Sequence, residues 1–163
     1  GAGADLEGAG ALADGQDADL GTLQRHLAPA TSSDALYKGV VAPSARSAFR
    51  GLIEVARNAA KTDAYLANRN LLLGPGARAD SLPALAIGTN DVRCTHGSTT
   101  GRVDPAQVHY LETRGIPSAD ARRLVADGFA GEIADRVPDS IRGPIAAALA
   151  GRMARASAGG VHA

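Results

Sequence analysis

The chain has no tryptophan, a single methionine, a single cysteine and only five aromatic residues among 163. So few aromatic rings leave nothing to build a base-stacking surface for single-stranded nucleic acid. One cysteine, Cys94, excludes an internal disulfide and fits a reducing compartment. An excess of either charge is also missing, with 17 basic and 17 acidic residues. The balance holds locally: residues 1–103 carry ten of each sign and residues 104–163 carry seven of each. No half is a basic patch, so neither nucleic acid nor an anionic membrane is expected as a partner. No run of about 18 apolar residues is present, and no signal peptide is visible. The chain begins at Gly1 without a methionine, which we read as a fragment of a longer protein.

What is present changes character near Asp104. Before it, turn residues punctuate short apolar runs: Tyr37–Val41, Gly51–Val55, Tyr65–Ala67, Leu71–Leu73, Leu85–Ile87 and Val92–Cys94. These are strand-sized, with Asn58, Asn68, Asn70, Gly74, Pro75, Gly76 and Asn90 expected at turns. No helical period separates them, which argues against βαβ units and for stacked coils that bury small aliphatic side chains. The repeat is irregular, and residues 1–30 are only loosely patterned.

From Asp104 the signals are helical. Asp104, Pro105 and Gln107 read as N-cap, first helical residue and capping-box partner, and Gly115 as the residue that ends the helix. Ser118 is expected to cap a second helix with a buried stripe of Ala121, Leu124, Val125, Phe129 and Ile133. Pro138 stops it, and Asp139 starts a third helix through Ile141, Ile145, Leu149 and Met153. The expected division is residues 1–103 as solenoid coils, 104–156 as a helical domain, and 157–163 as a flexible tail.

One segment could carry chemistry, Asp91-Val-Arg-Cys94-Thr-His96-Gly97. On a strand, Cys94 and His96 point to one face, and thiolate and imidazole are good iron or zinc ligands. Two ligands do not complete a site, so the others would come across a subunit interface. The spacing alone equally suits an inert buried cysteine beside a turn histidine. A nucleophile–base pair is disfavoured, because strand neighbours lack the required geometry and a third, orienting group. Gly74-Pro75-Gly76 lacks the lysine of a phosphate loop and reads as a turn. Asp120/Arg123 and Glu132/Arg136 read as solvated helix-face pairs.

Several ordered motifs then resemble the SufB/SufD family of the SUF iron–sulfur cluster assembly system. They are His26-Leu-Ala-Pro-Ala-Thr-Ser-Ser, Tyr37-Lys-Gly-Val, Ser44-Ala-Arg-Ser-Ala-Phe-Arg-Gly-Leu-Ile, Lys61-Thr-Asp, Asn68-Arg-Asn-Leu-Leu-Leu, Cys94-Thr-His-Gly-Ser-Thr-Thr-Gly and Tyr110-Leu-Glu-Thr-Arg-Gly-Ile. The resemblance spans roughly residues 24–135. It implies a right-handed parallel β-helix, here truncated, followed by a small helical domain. It also implies a non-enzymatic scaffold in a cytoplasmic complex with SufB and the ATPase SufC, or a homodimer when the chain stands alone.

In the family, SufC docks on helical domains. The resemblance puts docking from Asp104 onward, on Leu111, Arg114, Leu124, Val125 and Phe129. Iron or a nascent iron–sulfur cluster, transient and shared with SufB, would meet His96, with Cys94 as its motif neighbour. The loop Gly74–Arg78 has no cysteine and no Glu-His-Glu motif occurs, which favours the SufD branch. Departures from that branch's pattern are Ala86, Asn90, Ser98 and His109. The rivals are a left-handed β-helix acyltransferase, a β-helix polysaccharide lyase and a metal-free solenoid adaptor. The acyltransferase hexapeptide fits Val41–Arg46, Val55–Ala60 and Leu73–Arg78, whose starts are 14 and 18 residues apart and so do not tile. The lyase would normally be secreted and needs an acid/base cluster that is not identified.

Overall fold

The computed structural model describes residues 1–158. Seven parallel strands come first: β1 (Gly3–Leu12), β2 (Asp17–His26), β3 (Ser32–Val41), β4 (Arg46–Val55), β5 (Thr62–Leu72), β6 (Arg78–Ile87) and β7 (Val92–Arg102). Odd strands form one sheet in the order β1-β3-β5-β7, and even strands form a second in the order β2-β4-β6. This is a two-sheet solenoid of about three turns. Gly3 pairs with Ser32, Ser32 with Asp63 and Asp63 with Arg93, steps of 29, 31 and 30 residues. In the other sheet Asp17, Arg46 and Arg78 are in register, at steps of 29 and 32. The period is therefore regular to within three residues. Its irregularity in the sequence comes from the corners, which absorb the difference. Two ten-residue strands per coil also do not suit the hexapeptide-built triangular coil of the acyltransferase.

Alternation explains each strand. In β4, Phe49, Gly51, Ile53 and Val55 are buried between the sheets, while Arg50 is exposed outside. The ring of Tyr37 on β3 packs on Phe49 with centroids 5.2 Å apart. Stacked coils also align opposite charges on the outer surface, as in Arg25 with Glu54 at 2.9 Å and Arg93 with Asp63.

Residues 1–30 form strands β1 and β2 of the expected coils, and small inward residues such as Gly8 and Gly10 mask their alternation. Two expectations for this part need correcting. Asn68 and Asn70 are not at turns: both are buried inside β5. Their amides satisfy each other there, with Asn70 Nδ2 donating to Asn68 Oδ1 at 2.8 Å and Asn68 Nδ2 to the Tyr37 carbonyl at 3.4 Å. The runs Tyr65–Ala67 and Leu71–Leu73 consequently belong to one strand, apart from Leu73.

Three helices follow: α1 (Pro105–Thr113), α2 (Ser118–Arg136) and α3 (Asp139–Ala158). Asp104 Oδ1 accepts from Ala106 N at 2.8 Å, the expected cap. Gly115 at φ +85° lets its own N–H reach the Glu112 carbonyl (2.9 Å) and Ile116 N–H reach that of Leu111 (3.2 Å). Ser118 is inside α2 rather than its cap, which is Pro117, whose carbonyl accepts from Ala121 N. Helix α3 continues through Ser157 and Ala158, where a tail was expected, and residues 159–163 lie outside the described residues.

The helices fold back over the outer face of the β1-β3-β5-β7 sheet. Ala11, Val40 and Leu71 from that face join Val103, Val108, Ala121, Ala126, Ala130 and Met153 in one core. Small alanines let α2 approach closely. The buried positions of α2 are accordingly Ala121, Ala126, Ala130, Ile133 and Ala134, and not the expected Leu124, which is 46% exposed. Among the described residues no helix covers the outer face of the other sheet, where Leu23 and Leu82 are exposed. Among the described residues no helix is long and apolar enough to cross a membrane.

Candidate functional site

Among the described residues, strand β7 is the last strand of its sheet and pairs only with β5. Cys94 lies opposite Ala64, and His96 opposite Leu66. Both partners are buried between the sheets, so Cys94 and His96 occupy the inward face of the terminal strand. The two-residue spacing thus puts them on one face, as the sequence implied. Their environments differ. Cys94 is half-buried against the core of Ala35, Phe49, Ile53 and Leu66, whereas His96 is exposed. Burial pushes the Cys94 thiol up, the neighbouring Asp63 carboxylate adds to this, and a backbone hydrogen bond at Ala64 partly opposes it. In this state Cys94 holds its proton. Among the described residues, no three His, Cys, Asp or Glu side chains come together to hold a metal ion.

A second polar cluster went unrecognised. His26, at the end of β2, is buried with one ring nitrogen 2.7 Å from Thr31 Oγ1 and the other 2.9 Å from Ser33 Oγ. Gln24 Nε2 donates to the same Ser33 hydroxyl at 2.8 Å. Desolvation holds the His26 pKa below the usual imidazole value. The cluster closes the corner between β2 and β3, a structural role.

The helical candidates divide into two groups. Leu111, Val125 and Phe129 pack against the core shared with the solenoid. Leu124 and Arg114 are exposed, and the Arg114 guanidinium lies 5.2 Å from the centroid of the Tyr110 ring, itself exposed. Asp120 and Arg123 form the expected exposed pair at 3.4 Å. Glu132 and Arg136 do not pair with each other as the sequence suggested. Glu132 reaches Lys38 and, at 3.3 Å, Arg69; Arg136 reaches Glu7 at 2.6 Å and Asp34 at 3.3 Å. These partners stand on the outer sheet face that α2 covers. Lys38, between outward Leu36 and Val40, was the available signal: a lysine on an apolar strand face needs an anion.

Comparison with known proteins bears on this geometry. The family described as "SUF system FeS cluster assembly, SufBD core domain" matches residues 1–129. The chain is 40% identical over 121 residues to the iron–sulfur cluster assembly protein SufD of Escherichia coli, covering 74% of this chain and 29% of that protein. It is 43% identical over 132 residues to an iron–sulfur cluster assembly SufBD family protein of Mycobacterium tuberculosis, covering 76% and 33%. It is 39% identical over 113 residues to SufD of Bacillus subtilis, covering 69% and 26%. The chain spans about a third or less of the length of these curated relatives. With its parallel solenoid and three trailing helices, the chain belongs to the SufBD core family of the SUF system for iron–sulfur cluster assembly, and within it is SufD-like.

Proposed function

We propose that the chain is a non-catalytic scaffold of a cytoplasmic SufB–SufC–SufD-type complex, and that His96, with Cys94 beside it, helps receive iron or a nascent cluster. The observation that carries this reading is the position of the pair. Both residues sit on the inward face of the terminal strand, and this chain offers no third ligand among the described residues. A partner of the SufB type, seated on that open end, would supply the remaining ligands. The cluster is cargo here, assembled and passed on. The exposed imidazole is the first donor available to iron, and the protonated Cys94 thiol would join only after its proton passes to a base.

The helices are the docking unit for the SufC ATPase in this proposal. With Leu111, Val125 and Phe129 committed to the core, docking falls on Leu124 and Arg114. ATP-driven closure of two SufC subunits would pull on the helices and open the solenoid end. A pull-down against SufC, with and without SufB, tests this. Capture of SufC that is lost in Leu124→Asp supports docking on α2. Added capture of SufB supports the second interface. A folded chain that captures neither, alone or as a homodimer, overturns the reading and favours a metal-free adaptor.

A further inference from the structure

We propose that Lys38, Arg69, Glu7 and Asp34 on the sheet and Glu132 and Arg136 on α2 form an ionic latch with two paired states, through which displacement of α2 is transmitted to strands β3 and β5. This deepens the proposed function and rests on its reading that the helices move.

In the docked state every pairing crosses the interface. Lys38 Nζ, with a side chain only 2% exposed, donates to Glu132 and to the Phe129 carbonyl at 2.8 Å. Arg69 holds the other Glu132 oxygen, and Arg136 holds Glu7 and Asp34. Apolar packing continues on both sides of these pairs: Ile133 meets Leu36 and Ala67 with Ala9 beside them, and Ala126 and Ala130 join the core of Ala11, Val40 and Leu71.

Each half is neutral by itself. The sheet contributes two anions and two cations, and α2 contributes one of each. Each half can also pair internally once separated. Glu132 and Arg136 are four apart on one helix, the spacing of a helix-face ion pair. Glu7 lies opposite Leu36 and Ala9 opposite Lys38, so Glu7 and Lys38 are diagonal neighbours within reach of long side chains. Lifting α2 therefore exchanges cross-pairs for internal pairs at Glu7, Lys38, Glu132 and Arg136, and leaves the half-exposed Asp34 and Arg69 to water. The docked state is also incompletely satisfied, since Glu7 Oε2 is buried without a protein donor. An interface with two discrete, charge-balanced pairings is a switchable joint.

The joint is wired to the interior. Lys38 lies between the inward residues Tyr37 and Gly39, and Arg69 between Asn68 and Asn70. Strand β5 in turn pairs with β7, the strand of Cys94 and His96.

The test is hydrogen exchange on the chain as it stands, with no partner added. Raising the salt concentration to about 1 M should speed exchange in α2, β3 and β5 together, leaving β2 and β4 unchanged. Glu132→Gln should raise exchange in the same elements about fivefold at low salt and reduce the further response to salt, which the Arg136 pairs with Glu7 and Asp34 then carry alone. The Glu132 side chain is 44% exposed and glutamine keeps its volume, so the substitution adds no steric conflict, and circular dichroism of the variant checks the fold. Exchange that ignores salt, a rise confined to α2, or a rise spread equally through β2 and β4 would each overturn the latch. A chain that shows the coupled rise but captures no SufC keeps the latch and loses the docking reading.

Discussion

Lys38 Nζ lies 4.2 Å from the centroid of the Phe129 ring while donating to the carbonyl of the same residue. A cation from the third strand is thereby held over an aromatic ring of the second helix, with Glu132 as its counter-ion. Phe129 is consequently engaged within the chain.

This contact makes the two partners of the ion pair unequal. Glu132→Ala leaves a buried ammonium without its anion, and should lower stability by about 2–3 kcal/mol. Lys38→Met keeps the buried volume and leaves a half-exposed carboxylate beside Arg69, so it should cost only about 1 kcal/mol or less. Urea denaturation of both variants checks the order, and equal losses would contradict it.

Acid should act in two separate windows. The Lys38 hydrogen bond and charge, with Arg69 and Arg136 adding to them, hold Glu132 below the usual carboxylate range. A depressed carboxyl binds fewer protons folded than unfolded, so its contribution is full above about pH 4.5 and is lost as pH falls through the lower folded value. Desolvated His26 also binds fewer protons folded, so stability should decline as pH drops below about 6.5 and level off under its lowered folded pKa. Thermal midpoints from neutral to acid pH should show both declines. His26→Gln should abolish the first, and Glu132→Gln should blunt the second.

Much of this was legible in the sequence and some was not, for identifiable reasons. Caps and breakers act locally, so Asp104, Gly115 and Pro138 marked the helix limits correctly. Strands Tyr37–Val41 and Gly51–Val55 announced themselves by alternation. The first coil did not, because inward glycines remove the apolar half of the pattern. Asn68 and Asn70 misled, since asparagine favours turns unless a neighbouring strand supplies amide partners, which is a tertiary fact. Leu124 looked buried by spacing, but alanines permit the closest approach and α2 turned that face inward. Cys94 and His96 were placed on one face by period alone. Their position at the terminal strand required the coil count.

The interior around Asn70 gives a matched glycine test. A Cβ at Gly39 would lie 2.6 Å from Asn70 Oδ1, whereas one at Gly10 meets nothing within 4 Å. Gly39→Ala should destabilise by about 1–3 kcal/mol and Gly10→Ala should be tolerated. Asn70→Ala should recover part of the Gly39→Ala loss, a coupling that a double-mutant cycle reads directly.

Ala30 adopts φ 54°, in the left-handed region, at the corner before β3. Relief of its Cβ strain should outweigh the added unfolded-state entropy, so Ala30→Gly should raise stability by about 0.5–1 kcal/mol. A lower thermal midpoint would show that the corner is not strained.

The most direct test of the central claim is cluster assembly on the complete SufB–SufC–SufD-type complex carrying His96→Ala, followed by the iron–sulfur absorbance of the purified complex. Loss of cluster with the complex intact is the predicted result. Unchanged cluster content would contradict the assignment of His96 and leave the terminal strand a purely structural edge.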